Sequence, residues 1–292
     1  MTPLKFSSGD LIADRRADYA EGLLAVGDAT AAADLYAQAL EIAPGWAAGW
    51  YRLGEIRADH ALPGAAEALR AALRLDPADT MGAALRLGLL GAGTAEMPSA
   101  FVEALFDQYA GHFDHALVET LDYRAPQLLR AELQGHWPRA LDLGCGTGLM
   151  GAELRPLVAR LEGWDISAEM LREAEAKGLY DLLEKRDLSD LPEPGAGWDL
   201  ITAADVFAYL GGLEAIIGWV GRALAAGGSF AFTTEAHDGP GFTLRESRRY
   251  AHSEAYLRGL LHGAGFTARF SRAPLRMDRG APIEGFVVVA QR

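Results

Sequence analysis

One stretch constrains this chain more than any other: Leu141-Asp142-Leu143-Gly144-Cys145-Gly146-Thr147-Gly148-Leu149-Met150-Gly151. Apolar residues run into an acid, three glycines alternate with small residues, and an apolar segment follows. The pattern predicts a buried parallel strand, a tight turn and a helix N-terminus. Glycines at the turn allow a sharp bend and let a ligand approach the backbone more closely than a Cβ would permit.

The spacing narrows the choice of ligand. A dinucleotide fingerprint places glycines at G-x-G-x-x-G. Here Gly144 and Gly146 fit, but Leu149 holds the sixth position and Gly148 falls one place early. The order G-x-G-x-G after Asp142 resembles the first motif of class I S-adenosylmethionine-dependent methyltransferases. That resemblance implies that Asp142, Gly144, Cys145, Gly146 and Gly148 form a turn against the methionine moiety of the cofactor. The competing reading is a structural β-α turn with no ligand.

The following residues carry the same order of motifs. A second strand, residues 161–165, ends in Asp165, where a carboxylate can accept hydrogen bonds from both ribose hydroxyls. Ile166 comes next, and Ser167 reads as the N-cap of a helix over 168–177; the resemblance turns Met170 toward the adenine. A third strand over 182–186 closes on Asp187 and Leu188, which the resemblance places at the adenine amine and ring. A surface turn competes for Asp187, because Ser189, Asp190 and Pro192 follow. The apolar run from Trp198 predicts a central strand ending near Ala203, with Ala204 and Asp205 at the mouth of the site. A helix over 149–160, another over 212–224, a turn at 225–228, a strand at 229–234 and a helix at 253–262 are expected. Strands near 266–270 and 285–290 complete a terminal antiparallel hairpin. The fold class implied is α/β: a Rossmann-like, seven-stranded methyltransferase sheet with that C-terminal hairpin, over residues 96–292.

Residues 100–137 read as a helical lid rich in aromatic residues. Phe106, Tyr109 and Phe113 are spaced three and four apart, on one helix face. Core packing explains Phe101 and Phe106. For the others the resemblance implies that Tyr109 hydrogen-bonds the methionine carboxylate and that Phe113 lies against the sulfonium. His112 and His115 could share a helix face, but no cysteine or compact carboxylate cluster completes a ligand set, so no metal is expected.

Residues from about 13 to 95, in a first domain expected over 1–95, are alanine-rich and helical in period. Ala32, Tyr36, Ala39 and Pro44 are echoed by Ala65, Leu69, Ala72 and Pro77 with the same spacings, and Trp50, Leu53 and Gly54 precede the second set. This resembles the tetratricopeptide repeat, which stacks antiparallel helix pairs by fitting small residues against large ones. An all-α, tetratricopeptide-like domain with a cap helix over 80–90 is therefore expected, with a peptide or protein partner on its concave face. Residues 91–98 read as the linker.

Composition limits the partners. The formal net charge is -13, and nucleic-acid affinity rests on basic neutralisation of phosphates, so nucleic acid is not expected. No apolar run suits a membrane helix and no secretory signal is visible, which makes the cytoplasm the default. Cys145 is the single cysteine, so no internal disulfide forms; it reads as a small packing residue. The expected function is methyl transfer to a small-molecule or protein acceptor, catalysed mainly by positioning. Acceptor-side candidates are Asp205, Tyr209, Glu235, Arg249, Tyr250 and His252, with Tyr209, Tyr250 and His252 as catalytic candidates. Residues 248–252 are expected in a loop after the fifth strand, where Arg249 would suit a carboxylated acceptor. A cofactor-binding scaffold without turnover and a nicotinamide-dependent oxidoreductase are the alternatives.

Overall fold

The computed structural model describes residues 7–92, 97–115, 121–195, 197–278 and 280–292, without the side chains of His112 and His115. The chain divides into two units, Met1–Phe101 and Val102–Arg292. Part of the expected linker, 93–96, and the metal reading of His112 and His115 lie outside the described residues.

The first unit is all-helical among its described residues: α1 (Leu11–Ala25), α2 (Ala29–Ile42), α3 (Ala47–Asp59), α4 (Ala65–Leu75) and α5 (Ala83–Leu89). Asp10 and Asp28 cap α1 and α2 by accepting from backbone N–H groups of the first turns, as short acidic side chains do at helix starts. The echoed residues Ala32, Tyr36, Ala39, Ala65, Leu69 and Ala72 are all buried. Gly54 is required by close approach of α3 to α4: a Cβ there would come within 2.7 Å of Leu69 Cγ. An ionic chain centred on the buried Glu55 links the helices. Arg52 pairs with Glu21 at 2.8 Å and Glu55 at 2.7 Å, and Arg86 pairs with Glu55 and Asp59 at 2.7 Å each.

Among its described residues the second unit holds a nine-stranded sheet, two strands more than the seven expected. Its parallel part runs β3 (Leu182–Lys185), β2 (Val158–Asp165), β1 (Trp137–Leu143), β4 (Trp198–Ala203), β5 (Leu224–His237). The terminal hairpin is present: β9 (Ala281–Gln291) lies antiparallel on β5, and β8 (Thr267–Asp278) lies antiparallel on β9. The two additional strands are β6 (Phe242–Leu244) and β7 (Tyr250–Ser253). They form a small hairpin whose β7 pairs parallel with the end of β5, Glu235 opposite Ala251 and Ala236 opposite His252. Residues 250–252 are therefore sheet and not loop. The Tyr-Ala-His-Ser run is too short for its β-pattern to stand out from a polar neighbourhood.

Other boundaries move for identifiable reasons. The helix after the glycine turn, α9 (Leu149–Leu154), stops six residues early and passes into a 3-10 turn, Arg155–Leu157. Arg155 keeps helical backbone, at φ -50 and ψ -41, but Pro156 has no N–H with which to continue the helical ladder. Strand β5 begins at Leu224, which pairs with Trp198 before the register jumps to Leu200 opposite Ser229. The expected turn at 225–228 is thus a bulge within the strand, with Gly227 at φ +78. Two apolar cores cover the two faces. One gathers Trp164, Trp198, Trp219, Phe230 and Phe232; the other gathers Leu129, Met150, Leu154, Leu161 and Leu275.

Candidate functional site

Strand β1 ends at Leu143, and Gly144, Gly146 and Gly148 follow at φ +60, +54 and +92. Side chains other than glycine rarely adopt such backbone. The Cys145 N–H donates to the Trp164 carbonyl at 2.9 Å, carrying the β1–β2 ladder into the turn. Space around the three glycines differs. A Cβ on Gly144 would meet Val206 at 2.6 Å, and one on Gly148 would meet Tyr180 at 3.1 Å. Above Gly146 the nearest atom is Phe113 Cε1, at 3.8 Å from that position. Gly146 is therefore the floor of an open cradle with an aromatic edge beside it.

Asp165 locks this turn to the end of β2. Its Oδ2 accepts the Gly146 N–H at 2.8 Å and its Oδ1 accepts the Ser167 N–H at 2.8 Å. Burial pushes its carboxyl up to about 6, against the lowering effect of those backbone hydrogen bonds. A carboxylate has about four acceptor positions, and the Ile166 N–H bonds this one as well as those of Gly146 and Ser167, so it retains room for a further hydroxyl on one side. Asp142 lies one layer deeper. Tyr180 donates to its Oδ2 at 2.7 Å and Thr202 to its Oδ1 at 2.8 Å. It is 1% exposed, and burial raises it to about 7. The same Tyr180 ring fills the space that a Cβ would need at Gly148, Gly151 and Gly163. No local pattern in the sequence marked Tyr180 or Thr202.

The expected lid is broken rather than continuous. Helix α6 (Ser99–Tyr109) ends in a 3-10 turn, Ala110–His112, and a short helical turn α7 (Phe113–His115) follows. A separate helix α8 (Ala125–Glu132) precedes β1. Asp107 on α6 accepts from Ser167 Oγ at 2.6 Å and from the Glu169 N–H at 3.3 Å. Asp114 takes a hydrogen bond from Thr147 Oγ1 and pairs with Lys177 at 2.6 Å. These ties fix Phe113 at the cradle, edge-on to Phe106 with centroids 5.9 Å apart. Tyr109 is half-buried at the end of α6.

The expected adenine side is mixed. Ser167 caps α10 (Ala168–Ala176) by accepting the Met170 N–H; Met170 is fully buried, and Ile166 is half-buried. Leu188 packs against the tryptophan-rich core. Asp187 Oδ1 accepts from the Ser189 N–H at 2.8 Å and Oγ at 2.7 Å, the geometry of a surface turn. Ala203 is buried, and the Ala204 carbonyl accepts from Tyr123 at 3.3 Å. Cys145 is buried as a free thiol whose pKa is raised by burial and by Asp165, the opposite of what a nucleophile needs.

On the other side of the mouth, Asp205, Glu235 and Arg249 come together with Arg276 and Arg245, which the sequence did not single out. Arg276 donates to both Asp205 oxygens at 3.0 and 2.9 Å and to Glu235. Arg245 reaches Glu235 at 3.1 Å, and Arg249 reaches Asp205 at 3.3 Å. Asp205 is held at φ +59 and its N–H donates to Thr233. Tyr209 lies under Arg249, 5.4 Å from guanidinium carbon to ring centroid, and edge-on to Phe106 at 5.0 Å. His252, a catalytic candidate, is instead interior: it is 0% exposed, with Nε2 2.9 Å from the Gly211 carbonyl and Nδ1 2.7 Å from Thr234 Oγ1. A carbonyl only accepts, so Nε2 carries the proton and Nδ1 takes the threonine hydroxyl's. Burial lowers its pKa. Neither nitrogen is left for a reacting proton. Tyr250 is also buried, at 2% exposure.

Residues 140–228 match the family model described as "Methyltransferase domain". The chain is similar to human methyltransferase-like protein 27, 42% identical over 105 residues, 33% of this chain and 42% of that protein. It is also similar to malonyl-[acyl-carrier protein] O-methyltransferase of Enterobacter lignolyticus, 30% identical over 138 residues, 47% of this chain and 54% of that protein. The chain thus spans about half the length of the curated relatives it matches. Among solved structures, a DhpI-SAM-HEP complex superposes with a TM-score of 0.50 at 23% identity, over 66% of this chain and 96% of that one. The match to the methyltransferase-domain model lies on a Rossmann-like α/β sheet with antiparallel C-terminal strands.

Proposed function

We propose that the protein is a class I S-adenosylmethionine-dependent methyltransferase. The observation that carries this reading is the Gly146 cradle: three consecutive alternate glycines at positive φ, open only above the middle one and tied there to a buried acid. A Cβ at Gly146 would fill the space a ligand needs, so the residues present fit the cofactor. Gly144, Gly146 and Gly148 would hold its methionine end and Asp165 its ribose, with the half-buried Ile166, Asp187 and Leu188 toward the adenine; Met170, expected there too, has no exposed surface and does not line the site. When bound, the cofactor supplies a methyl group activated by positive sulfur.

The chain's own part is positioning. Phe113 and Phe106 exclude water above the turn and present aromatic surface to a cation. Asp107 and Asp114 hold those rings in place through Ser167 and Thr147. Arg276 fixes Asp205 at the mouth, and Arg249 covers Tyr209. The acceptor enters from that side and is a small molecule or a protein. The all-helical first unit resembles tetratricopeptide units, and we assign it a peptide or protein as partner and the protein a cytoplasmic location.

The direct test is calorimetric titration with S-adenosylmethionine and, in parallel, NADH, followed by transfer of labelled methyl to a cell extract. Tight binding of S-adenosylmethionine with transfer is expected. Binding without transfer would leave a cofactor-binding scaffold, and binding of NADH alone would overturn the reading.

A further inference from the structure

The stretch 102–114 beside the glycine turn is attached by charge and hydrogen bonds more than by burial. Among its described side chains only Ala110 is buried; Phe106, Tyr109 and Phe113 are half-buried. Three carboxylates hold it. Glu103 pairs with Lys185 of β3 at 2.6 Å. Asp107 accepts from Ser167 Oγ and the Glu169 N–H, at the start of α10. Asp114 accepts from Thr147 Oγ1 inside the glycine turn and pairs with Lys177, the C-cap of α10, at 2.6 Å. The two aspartates thus clasp α10 at both ends, with one hydrogen bond to the turn itself.

Such a fastening opens easily. Lys177 and Asp114 are 31% and 41% exposed, and Lys185 and Glu103 are 51% and 36% exposed, so water competes for both pairs and each contributes little. An element with few buried apolar contacts opens at low free-energy cost. What opening does is decided by Phe113, the residue before Asp114. Its Cε1 is the nearest atom to the place a Gly146 Cβ would occupy, at 3.8 Å. A ligand seated on Gly146 lies against that ring, and the ring moves with Asp114.

We infer that 102–114 is a latched gate, and that release of Asp114 from Thr147 and Lys177 is the step that admits and frees the cofactor. This rests on the methyltransferase reading and names the regulation of its site. Asp114 and Lys177 are positioning residues, acting through Phe113. Every latch partner belongs to the protein, so weakening the latch speeds entry and exit together and leaves affinity nearly fixed. Loss of a direct binding contact speeds exit alone.

Tritiated S-adenosylhomocysteine bound to the full-length protein is chased with an unlabelled excess, which gives the exit rate. Calorimetry gives the affinity, and the two together give the entry rate. This ligand carries no net charge, so salt acts on the latch and not on steering. Asp114→Asn and Lys177→Gln should each raise the exit rate about fivefold, the upper end for a partly exposed pair, with affinity within about twofold of the parent. The double variant should match the singles, because all three break one pair. High salt should speed exit from the parent more than from Lys177→Gln. Glu173→Gln, a charge change on the exposed side of α10, should leave exit as it was. Unchanged exit rates in both variants, exit rising in proportion to lost affinity, or additive effects in the double variant overturns the gate. Absence of S-adenosylhomocysteine binding by the unaltered protein would instead overturn the cofactor reading beneath it. Should Asp114→Asn fail to fold by circular dichroism, Lys177→Gln, altered at an exposed position, carries the test.

Discussion

Asp165 accepts the Gly146 N–H at 2.8 Å, joining the acid at the end of one strand to the middle of the glycine turn after its neighbour. Replacing Asp165 with alanine removes that bond and the one to Ser167, together with the ribose contact proposed for it. Affinity for S-adenosylhomocysteine should fall at least tenfold, about 1.4 kcal/mol or more. Calorimetry that returns an affinity within twofold of the parent would remove Asp165 from the site.

The glycines should separate stability from binding. Gly144→Ala meets both a left-handed backbone and Val206 at 2.6 Å. Strain of about 1–2 kcal/mol and overpacking of about 1–3 kcal/mol should lower the urea midpoint clearly. Gly146→Ala faces the same strain but only an ordinary contact with Phe113. It should unfold at higher urea than Gly144→Ala while losing cofactor affinity. The reverse order would contradict the open cradle.

Asp142 supplies a pH signature. Its carboxyl is raised by burial from 3.8 to about 7, so the folded state keeps a proton that the unfolded chain has lost. Stability from this group is therefore full below about pH 4 and declines as pH rises through 7. Asp165, raised to about 6, acts in the same direction. Between pH 5 and 8 the parent should lose about 2–3 kcal/mol relative to Asp142→Asn, whose amide can still meet the two hydroxyls. Parallel urea titrations at both pH values with no difference in trend would contradict the buried acid.

Glu55 predicts the opposite sign in the helical unit. Burial opposes its charge, but hydrogen bonds and charges of Arg86 and Arg52 hold its pKa below the ordinary value. Its stabilisation is present above the unfolded pKa near 4.5 and is lost as pH falls through the lower folded value. Glu55→Ala leaves two buried cations short of an acceptor, and Arg86 Nε already lacks one among the described residues. A loss of about 3 kcal/mol is expected, read as the urea midpoint of the helical signal at pH 7.

The fold was legible where the physics is local. A glycine turn, an acid at a strand end and a capping serine are each specified within a few residues, and β1, β2 and α10 formed where those signals lay. The hairpin β6–β7 was not legible, because its strands are short and gain their partners only from the far end of β5. The same limit hid Tyr180, Thr202 and Arg276, whose partners lie 38, 60 and 71 residues away. His252 shows the converse. Its residue type suggests acid–base chemistry, but only the folded chain reveals a carbonyl and a hydroxyl that occupy both ring nitrogens.

Tyr180 stands where three glycines from three segments leave room for one ring, and its hydroxyl also grips Asp142. These five positions are therefore expected to vary together across related chains. A lineage that acquires alanine at Gly151 or Gly163 must shrink the aromatic residue in the same period, and the acid then loses its phenolic tether. Related chains should accordingly sort into two groups, those keeping the whole set and those that have exchanged all of it, with few intermediates surviving between them.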